Sequence, residues 1–359
     1  MYNIGIVGIG FLGGSLIKSL AKSNKVAKIV ATDKNIDSLK KAKEEGIISE
    51  YSLDIDNTFS DCDIVFISTP VSYIAEYAKK LEKVVKPNCI ITDTGSTKKT
   101  IIEKSKQLNI EFIGGHPMIG SERSGYKTSI DYLFENSYYI ITKSKNNKES
   151  SVKILEELVK EIGAIPIIID EEKHDYITAC ISHVPHVVAA ALVTLVKTSD
   201  DKNETMKTLA AGGFKDITRI ASSDPTMWEN ICMENKEEIL KNLDKLIVML
   251  NTFRNNINSQ EYMYKYFEES KKYRDTFINK KINGNTMPEL NISIKDENGA
   301  IAKVTTILSD NEIGIKNIEV INNRENNFGA LRVIVRSYEE RDKGYNLLKN
   351  LGYDIKKIN

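Results

Sequence analysis

Gly8, Gly10 and Gly13 stand in the run Gly8-Ile-Gly-Phe-Leu-Gly-Gly-Ser15, directly after an apolar stretch over residues 2–7. That spacing fits a strand-to-helix turn whose helix N-terminus holds a pyrophosphate. Gly8 permits the tight turn, Gly10 removes the side chain that would block the phosphates, and Gly13 lets the helix pack close to its strand. Phe11 and Leu12 complete the turn. A second strand over residues 29–32 ends on Asp33, about twenty residues beyond the last glycine, where a carboxylate can accept both ribose hydroxyls. Strand, glycines, helix, second strand and terminal acid together specify a nicotinamide-dinucleotide site.

His116 is the first candidate for acid–base work. It follows an apolar strand in Gly114-Gly-His-Pro-Met-Ile-Gly120, which places it in the crevice where a nicotinamide would lie. A histidine there can hold or accept a hydroxyl proton while hydride leaves the same carbon. Ser182-His-Val-Pro-His186 opens an apolar helix, and its two histidines share one helical face. A zinc site needs a third protein ligand, and no third is fixed by spacing, so no metal is expected. One of the two histidines can bind substrate while the other caps or orients; for His183, packing and function are equally good readings. Gly212-Gly-Phe-Lys-Asp-Ile-Thr-Arg219 joins flexible glycines to Asp216 and Arg219. Arginine is the preferred bidentate partner of a carboxylate, although the segment by itself does not outrank an exposed i,i+3 pair. The sole tryptophan, Trp228, beside the Asp224-Pro225 turn, is expected to pack in the core.

These residues need a scaffold that gathers strand ends. Residues 1–170 alternate short apolar runs with helical stretches, the pattern of a Rossmann-type, doubly wound parallel sheet with possible late extra strands. Ligands bind beyond the carboxyl ends of such strands. Ser68-Thr69-Pro70, Asp93-Thr-Gly-Ser96 and Gly114-Gly-His-Pro117 all sit at such ends. Residues 171–282 read as helical throughout, a substrate wall and dimer interface by analogy. Residues 283–288 read as a linker. Residues 288–359 follow the order βαββαβ, with a capping box opening its second helix at Ser337 and Gly352 ending it. In this unit the chain turns from Asp296 through Gly299 into a helix beginning at Ala300. Backbone N–H groups there can hold an effector's carboxylate.

The 359 residues imply two or three domains. Lys+Arg and Asp+Glu are both 50, so no charge excess points to nucleic acid. A strand begins at once, leaving no room for a signal peptide, and the most apolar run, residues 187–196, is too short to span a bilayer. Cys62, Cys89, Cys180 and Cys232 are scattered and read as reduced core thiols in a cytoplasmic protein.

The middle motifs carry a resemblance. Asp93-Thr-Gly-Ser-Thr-Lys98, Gly115-His-Pro-Met-Ile-Gly-Ser-Glu-Arg-Ser-Gly125, His174-Asp175, Ser182-His-Val-Pro-His186, Gly212–Arg219 and Asp224-Pro-Thr-Met-Trp228, in this order, resemble prephenate dehydrogenase over almost the whole chain. The C-terminal unit resembles an ACT domain in Asp296-Glu-Asn-Gly-Ala-Ile301 and Ile313-Gly-Ile-Lys-Asn-Ile318, with Asn298 where many ACT domains carry proline. The resemblance implies NAD-dependent oxidative decarboxylation of prephenate to 4-hydroxyphenylpyruvate, with arogenate dehydrogenase as the nearest alternative. It implies that His116 binds the ring hydroxyl, that Ser96 bonds near hydroxyl and nicotinamide, and that Arg219 holds a carboxylate. His186 would lie on the substrate wall, and Glu122 and Asp216 would belong to an ionic network gating the pocket. Asp33 would select NAD over NADP. A homodimer is implied, with tyrosine as effector at Asp296, Gly299, Ala300 and Asn317.

Overall fold

The computed structural model describes residues 1–120, 123–144, 147–278, 288–295, 297–321 and 328–358. Glu122, Asp296 and linker residues 283–287 lie outside the described residues. The chain divides into two compact units, Met1–Leu250 and Asn251–Asn359.

The first unit begins with the expected alternation. It runs β1 (Tyr2–Val7), α1 (Phe11–Leu20), β2 (Val26–Thr32), α2 (Ile36–Glu44), β3 (Glu50–Ser52), β4 (Ile64–Ile67), α3 (Val71–Leu81), β5 (Ile90–Asp93), α4 (Lys99–Ser105), β6 (Glu111–Pro117), β7 (Tyr138–Thr142), α5 (Glu149–Glu161) and β8 (Ile165–Ile168). The eight strands form one sheet in the order β3-β2-β1-β4-β5-β6-β7-β8. The chain leaves β1 toward β2 on one side and resumes at β4 on the other, so a crevice opens between the carboxyl ends of β1 and β4. Each face of the sheet carries its own apolar core. Ile4, Ile6, Leu16 and Phe66 are buried in one, and Val7, Val30, Val65 and Ile91 in the other.

The sheet is not wholly parallel. β7 pairs antiparallel with β6. A parallel return needs a crossover long enough to hold a helix. Between these strands the chain instead places a 3-10 turn, Tyr126–Thr128, against α1. Gly14 makes room for it, because a Cβ there would stand 2.8 Å from the Tyr126 ring. Ser15 Oγ accepts from Ile130 N–H at 3.0 Å, and Ser19 Oγ donates to Asp131 O at 2.7 Å. The glycine-serine run of the dinucleotide motif therefore serves two neighbours at once.

The helical part consists of α6 (Glu171–Thr178), a π turn (Ala179–His183), α7 (Val184–Ser199), α8 (Thr205–Leu209), α9 (Gly212–Thr218), α10 (Pro225–Glu234) and α11 (Lys236–Asn255). Pro185 lacks the N–H that a regular helix would use, and the π turn before it absorbs the mismatch. Helical structure thus continues from Glu171 to Ser199, long and apolar enough to cross a membrane by length and composition alone. This corrects the expectation drawn from residues 187–196. His174, Asp175, His183 and His186 are nevertheless buried along it. Gly212 and Gly213 open α9 rather than forming a flexible loop. The cysteines are all free, and Cys180 is exposed, unlike a core residue.

The second unit contains the end of α11 and α12 (Gln260–Ile278), then β9 (Glu289–Lys295), α13 (Ala300–Asp310), β10 (Ile315–Ile321), β11 (Phe328–Val335), α14 (Tyr338–Asn350) and β12 (Ile355–Ile358). Its four strands pair antiparallel in the order β10-β11-β9-β12. Leu290, Ile292, Val304, Leu308, Leu331, Val333 and Leu348 fill the core between sheet and helices. Ser337 Oγ accepts from Glu340 N–H at 3.1 Å, the predicted cap.

Candidate active site

The dinucleotide crevice has the geometry its glycines require. Gly8 adopts φ +91°, and a Cβ at Gly13 would stand 2.1 Å from Gly8 O. Gly10 differs, for a Cβ there would meet nothing within 4 Å. It stands at the N-cap of α1 without a side-chain cap, leaving the first-turn N–H groups for a phosphate. Asp33 closes the turn, accepting from Ile9 N–H and Asn35 N–H, each at 2.7 Å. Across the crevice, Ser68, Thr69 and Pro70 follow β4, and Ser68 Oγ accepts from Thr94 Oγ1 at 2.9 Å. Thr69 Oγ1 is buried without a protein partner. An open Gly10, an orphaned hydroxyl and a carboxylate at the end of β2 fit a dinucleotide-binding crevice.

His116 lies inside β6, paired with Ile140, rather than beyond the strand. Its Nδ1 is 2.8 Å from His174 Nε2, and His174 Nδ1 is 2.7 Å from Asp175 Oδ1. Asp175 is itself anchored, since Oδ1 accepts from Lys98 N–H at 2.7 Å and Oδ2 from Lys99 N–H at 2.9 Å. Burial pushes the Asp175 carboxyl up from the usual range. The two main-chain N–H groups on its oxygens oppose that shift by favouring the charged form, and a carboxylate at Asp175 makes His174 Nδ1 the donor. The tautomers follow in sequence. His174 carries its proton on Nδ1, its Nε2 accepts from His116 Nδ1–H, and His116 Nε2 keeps a lone pair.

Burial dominates the histidine electrostatics. It holds His116 and His174 well below the ordinary imidazole pKa, and the Lys98 ammonium adds to the effect at both. His183 is pushed down to about 4 by burial, and His186 is lowered by the same cause. At neutral pH, His116 is therefore an uncharged acceptor suited to a hydroxyl proton.

His183 and His186 do share a face, and Trp228 is what they share. His186 stacks on the indole with centroids 3.4 Å apart at 15°, and His183 meets it edge-on at 6.0 Å. Trp228 is thus packed against imidazoles rather than in an apolar core, and its Nε1 is buried without a hydrogen-bond partner. His183 Nδ1 lies 3.1 Å from Asn235 Nδ2, which also donates to Asp175 O at 2.9 Å. The orienting reading of His183 is the one this geometry supports. Arg219 opens a 3-10 turn packed against α7, and both Arg219 and Asp216 are exposed. No metal-binding cluster occurs among the described residues.

Residues 16–168 match the model of the prephenate dehydrogenase nucleotide-binding domain, and residues 170–270 that of the prephenate dehydrogenase dimerization domain. The chain is 33% identical to a prephenate dehydrogenase of Bacillus subtilis, covering 94% of this chain and 93% of that protein. The chain belongs to the prephenate dehydrogenase family. A relative of the same name from Lactococcus lactis is 32% identical over 97% of this chain and 98% of that protein. A crystal structure of the prephenate dehydrogenase of Aquifex aeolicus, in complex with hydroxyphenyl propionate and NAD+, is 36% identical. It superposes with a TM-score of 0.73, covering 77% of this chain and 98% of that one. Within the residues that match the dimerization-domain model, Leu195 on α7 and Ile247, Val248 and Leu250 on α11 are exposed apolar side chains.

What the sequence of this prephenate dehydrogenase family member does not announce is the hydrogen-bond network that joins His174, Asp175, Lys98 and Asn235. His174 and Asp175 stand out only as part of a family motif. The adjacent histidine–acid pair is a usable signal, but its partner His116 is 58 residues away in the chain.

Proposed function

We propose that the chain is an NAD-dependent prephenate dehydrogenase. The observation that carries this reading is the Asp175–His174–His116 series, which leaves a neutral imidazole with a free Nε2 lone pair at the carboxyl end of the sheet. NAD bound in the glycine crevice supplies the hydride acceptor. His116 takes the proton of the ring hydroxyl, while Ser96, half-buried in the loop after β5, bonds to the same oxygen. Arg219 pairs with a substrate carboxylate, and His186 lies on the substrate wall. In this reading Glu122 and Asp216 belong to an ionic network that gates the pocket. Loss of carbon dioxide makes the ring aromatic and drives the reaction, so the protein's work is positioning and polarisation. Relatives over the full chain favour prephenate over arogenate.

The test is NADH formation with prephenate and with arogenate, for the wild type and for His116→Asn. The variant should lose ~10²–10⁴-fold in kcat with little change in NAD affinity. An unchanged kcat removes His116 from the chemistry.

The further reading is a three-part chain, 1–170, 171–282 and 288–359, acting as a cytoplasmic homodimer in tyrosine biosynthesis. The last part acts as an ACT domain under feedback control by tyrosine. Its support is the βαββαβ element order, the antiparallel sheet order β10-β11-β9-β12, and Gly299, at φ +84°, which turns the chain into α13 at Ala300. Asn317 is exposed on β10. An enzyme truncated after Lys281 should keep activity and lose tyrosine sensitivity; equal sensitivity would place tyrosine at the active site instead.

A further inference from the structure

Directly beneath the loop that carries Ser96, the core holds a buried charged pair. Asp93, the last residue of β5, and Lys98 are both fully buried, and Lys98 Nζ is 2.7 Å from Asp93 Oδ2. The ammonium also donates to Gly95 O at 2.7 Å and to Thr97 O at 2.9 Å. Its three protons are thereby used, two of them on the residues either side of Ser96. The carboxylate reaches in two directions. Oδ2 accepts from Gly95 N–H at 2.8 Å, and Oδ1 accepts from Gly115 N–H at 3.0 Å, one residue before His116.

Three glycines leave room for this arrangement. A Cβ at Gly95 would stand 2.8 Å from Asp93 Oδ2, one at Gly114 would stand 2.8 Å from Lys98 Cδ, and one at Gly115 would stand 2.4 Å from Asp93 O. Main-chain N–H groups of Lys98 and Lys99 then continue to Asp175. The Ser96 loop is held at one end by the ion pair and at the other by the carboxylate that orients His174.

We propose that Asp93 and Lys98 are positioning residues that fix Ser96 against His116 across β5 and β6. A pair kept only for stability would need no more than its mutual contact and satisfied protons. Here the bonds converge on main-chain groups of Gly95 and Thr97, the residues either side of Ser96, and on the N–H of Gly115, the residue before His116. Burying two charges is costly, and well-packed neutral side chains often replace such pairs without loss of stability. What neutral side chains would not reproduce is the ammonium's grip on two carbonyls of one loop. This inference rests on reading Ser96 and His116 as the groups that meet the ring hydroxyl.

The test compares Lys98→Met, the double variant Asp93→Asn/Lys98→Met, and His116→Asn in the full-length enzyme. Thermal midpoint, NAD affinity, and KM and kcat for prephenate are measured for each. Lys98→Met strands a buried carboxylate and should lower both the midpoint and kcat. The double variant removes both charges and should regain most of the midpoint. Its kcat should stay about 10²-fold low, the cost of a small misplacement, while NAD affinity stays within about threefold. A double variant that recovers midpoint and kcat together overturns the proposal. So does a Lys98→Met enzyme whose kcat is unchanged, or a double variant that does not fold, since each makes the pair's role purely structural. If His116→Asn leaves kcat intact, the functional reading itself fails; if it lowers kcat and the double variant does not, only this inference fails.

Discussion

His116 Nδ1 lies 2.8 Å from His174 Nε2, and because Asp175 holds the other nitrogen of His174, that contact fixes which nitrogen of His116 keeps a lone pair. Asp175→Asn tests the chain of tautomers. An amide presents one accepting oxygen where the carboxylate presents two, so it cannot serve Lys98 N–H, Lys99 N–H and His174 together. The kcat should fall about 10²-fold with NAD affinity unchanged. Equal kcat in the variant would show that His116 is oriented without the relay.

Gly10 and Gly13 belong to one motif but should fail differently. A Cβ at Gly10 meets nothing in the protein, so Gly10→Ala should cost at most about 1 kcal/mol through the helix cap. It should still weaken NAD binding, because the methyl enters the phosphate space. Gly13→Ala drives a Cβ to 2.1 Å from Gly8 O and should lower the thermal midpoint even without cofactor. Calorimetry with and without NAD separates the two.

Arg219→Gln should mainly raise KM for prephenate, because a carboxylate loses its charged partner in ground state and transition state alike. Steady-state kinetics decide this. A fall in kcat at constant KM would show that Arg219 acts in the transition state alone.

Stability should fall on acidification through the buried histidines. Burial pushes His183 from 6.5 down to about 4; nearby Asp175 opposes the shift and His186 adds to it. Between those values the unfolded chain binds more protons than the folded one. The contribution is therefore complete above pH 6.5 and is lost as the pH falls through about 4, up to about 3 kcal/mol. The thermal midpoint of His183→Gln should drop less than that of the wild type between pH 7 and pH 5.

Much of this protein is legible in its sequence because the signals are local. Gly8, Gly10, Gly13 and Asp33 lie within one βαβ unit, where glycine conformational freedom and helix N-terminal geometry dictate the cofactor crevice. The βαββαβ order of the last unit and the Ser337 cap are equally short-range. His183 and His186 share a face because a helix places i and i+3 residues side by side. Other features depended on packing between distant segments. No local rule states that residues 126–131 dock on α1 or that β7 returns antiparallel. None places His174 against His116 across 58 residues, or His186 on Trp228. The buried Lys98 is the clearest case. In the sequence it is only the last residue of the Asp93–Lys98 motif, and only the closing of β5, β6 and α6 around it turns its ammonium onto Asp93 and the carbonyls of Gly95 and Thr97. Backbone conformation is decided by near neighbours and can be read along the chain, whereas desolvation, tautomer and charge pairing are decided by whatever surrounds a group in three dimensions.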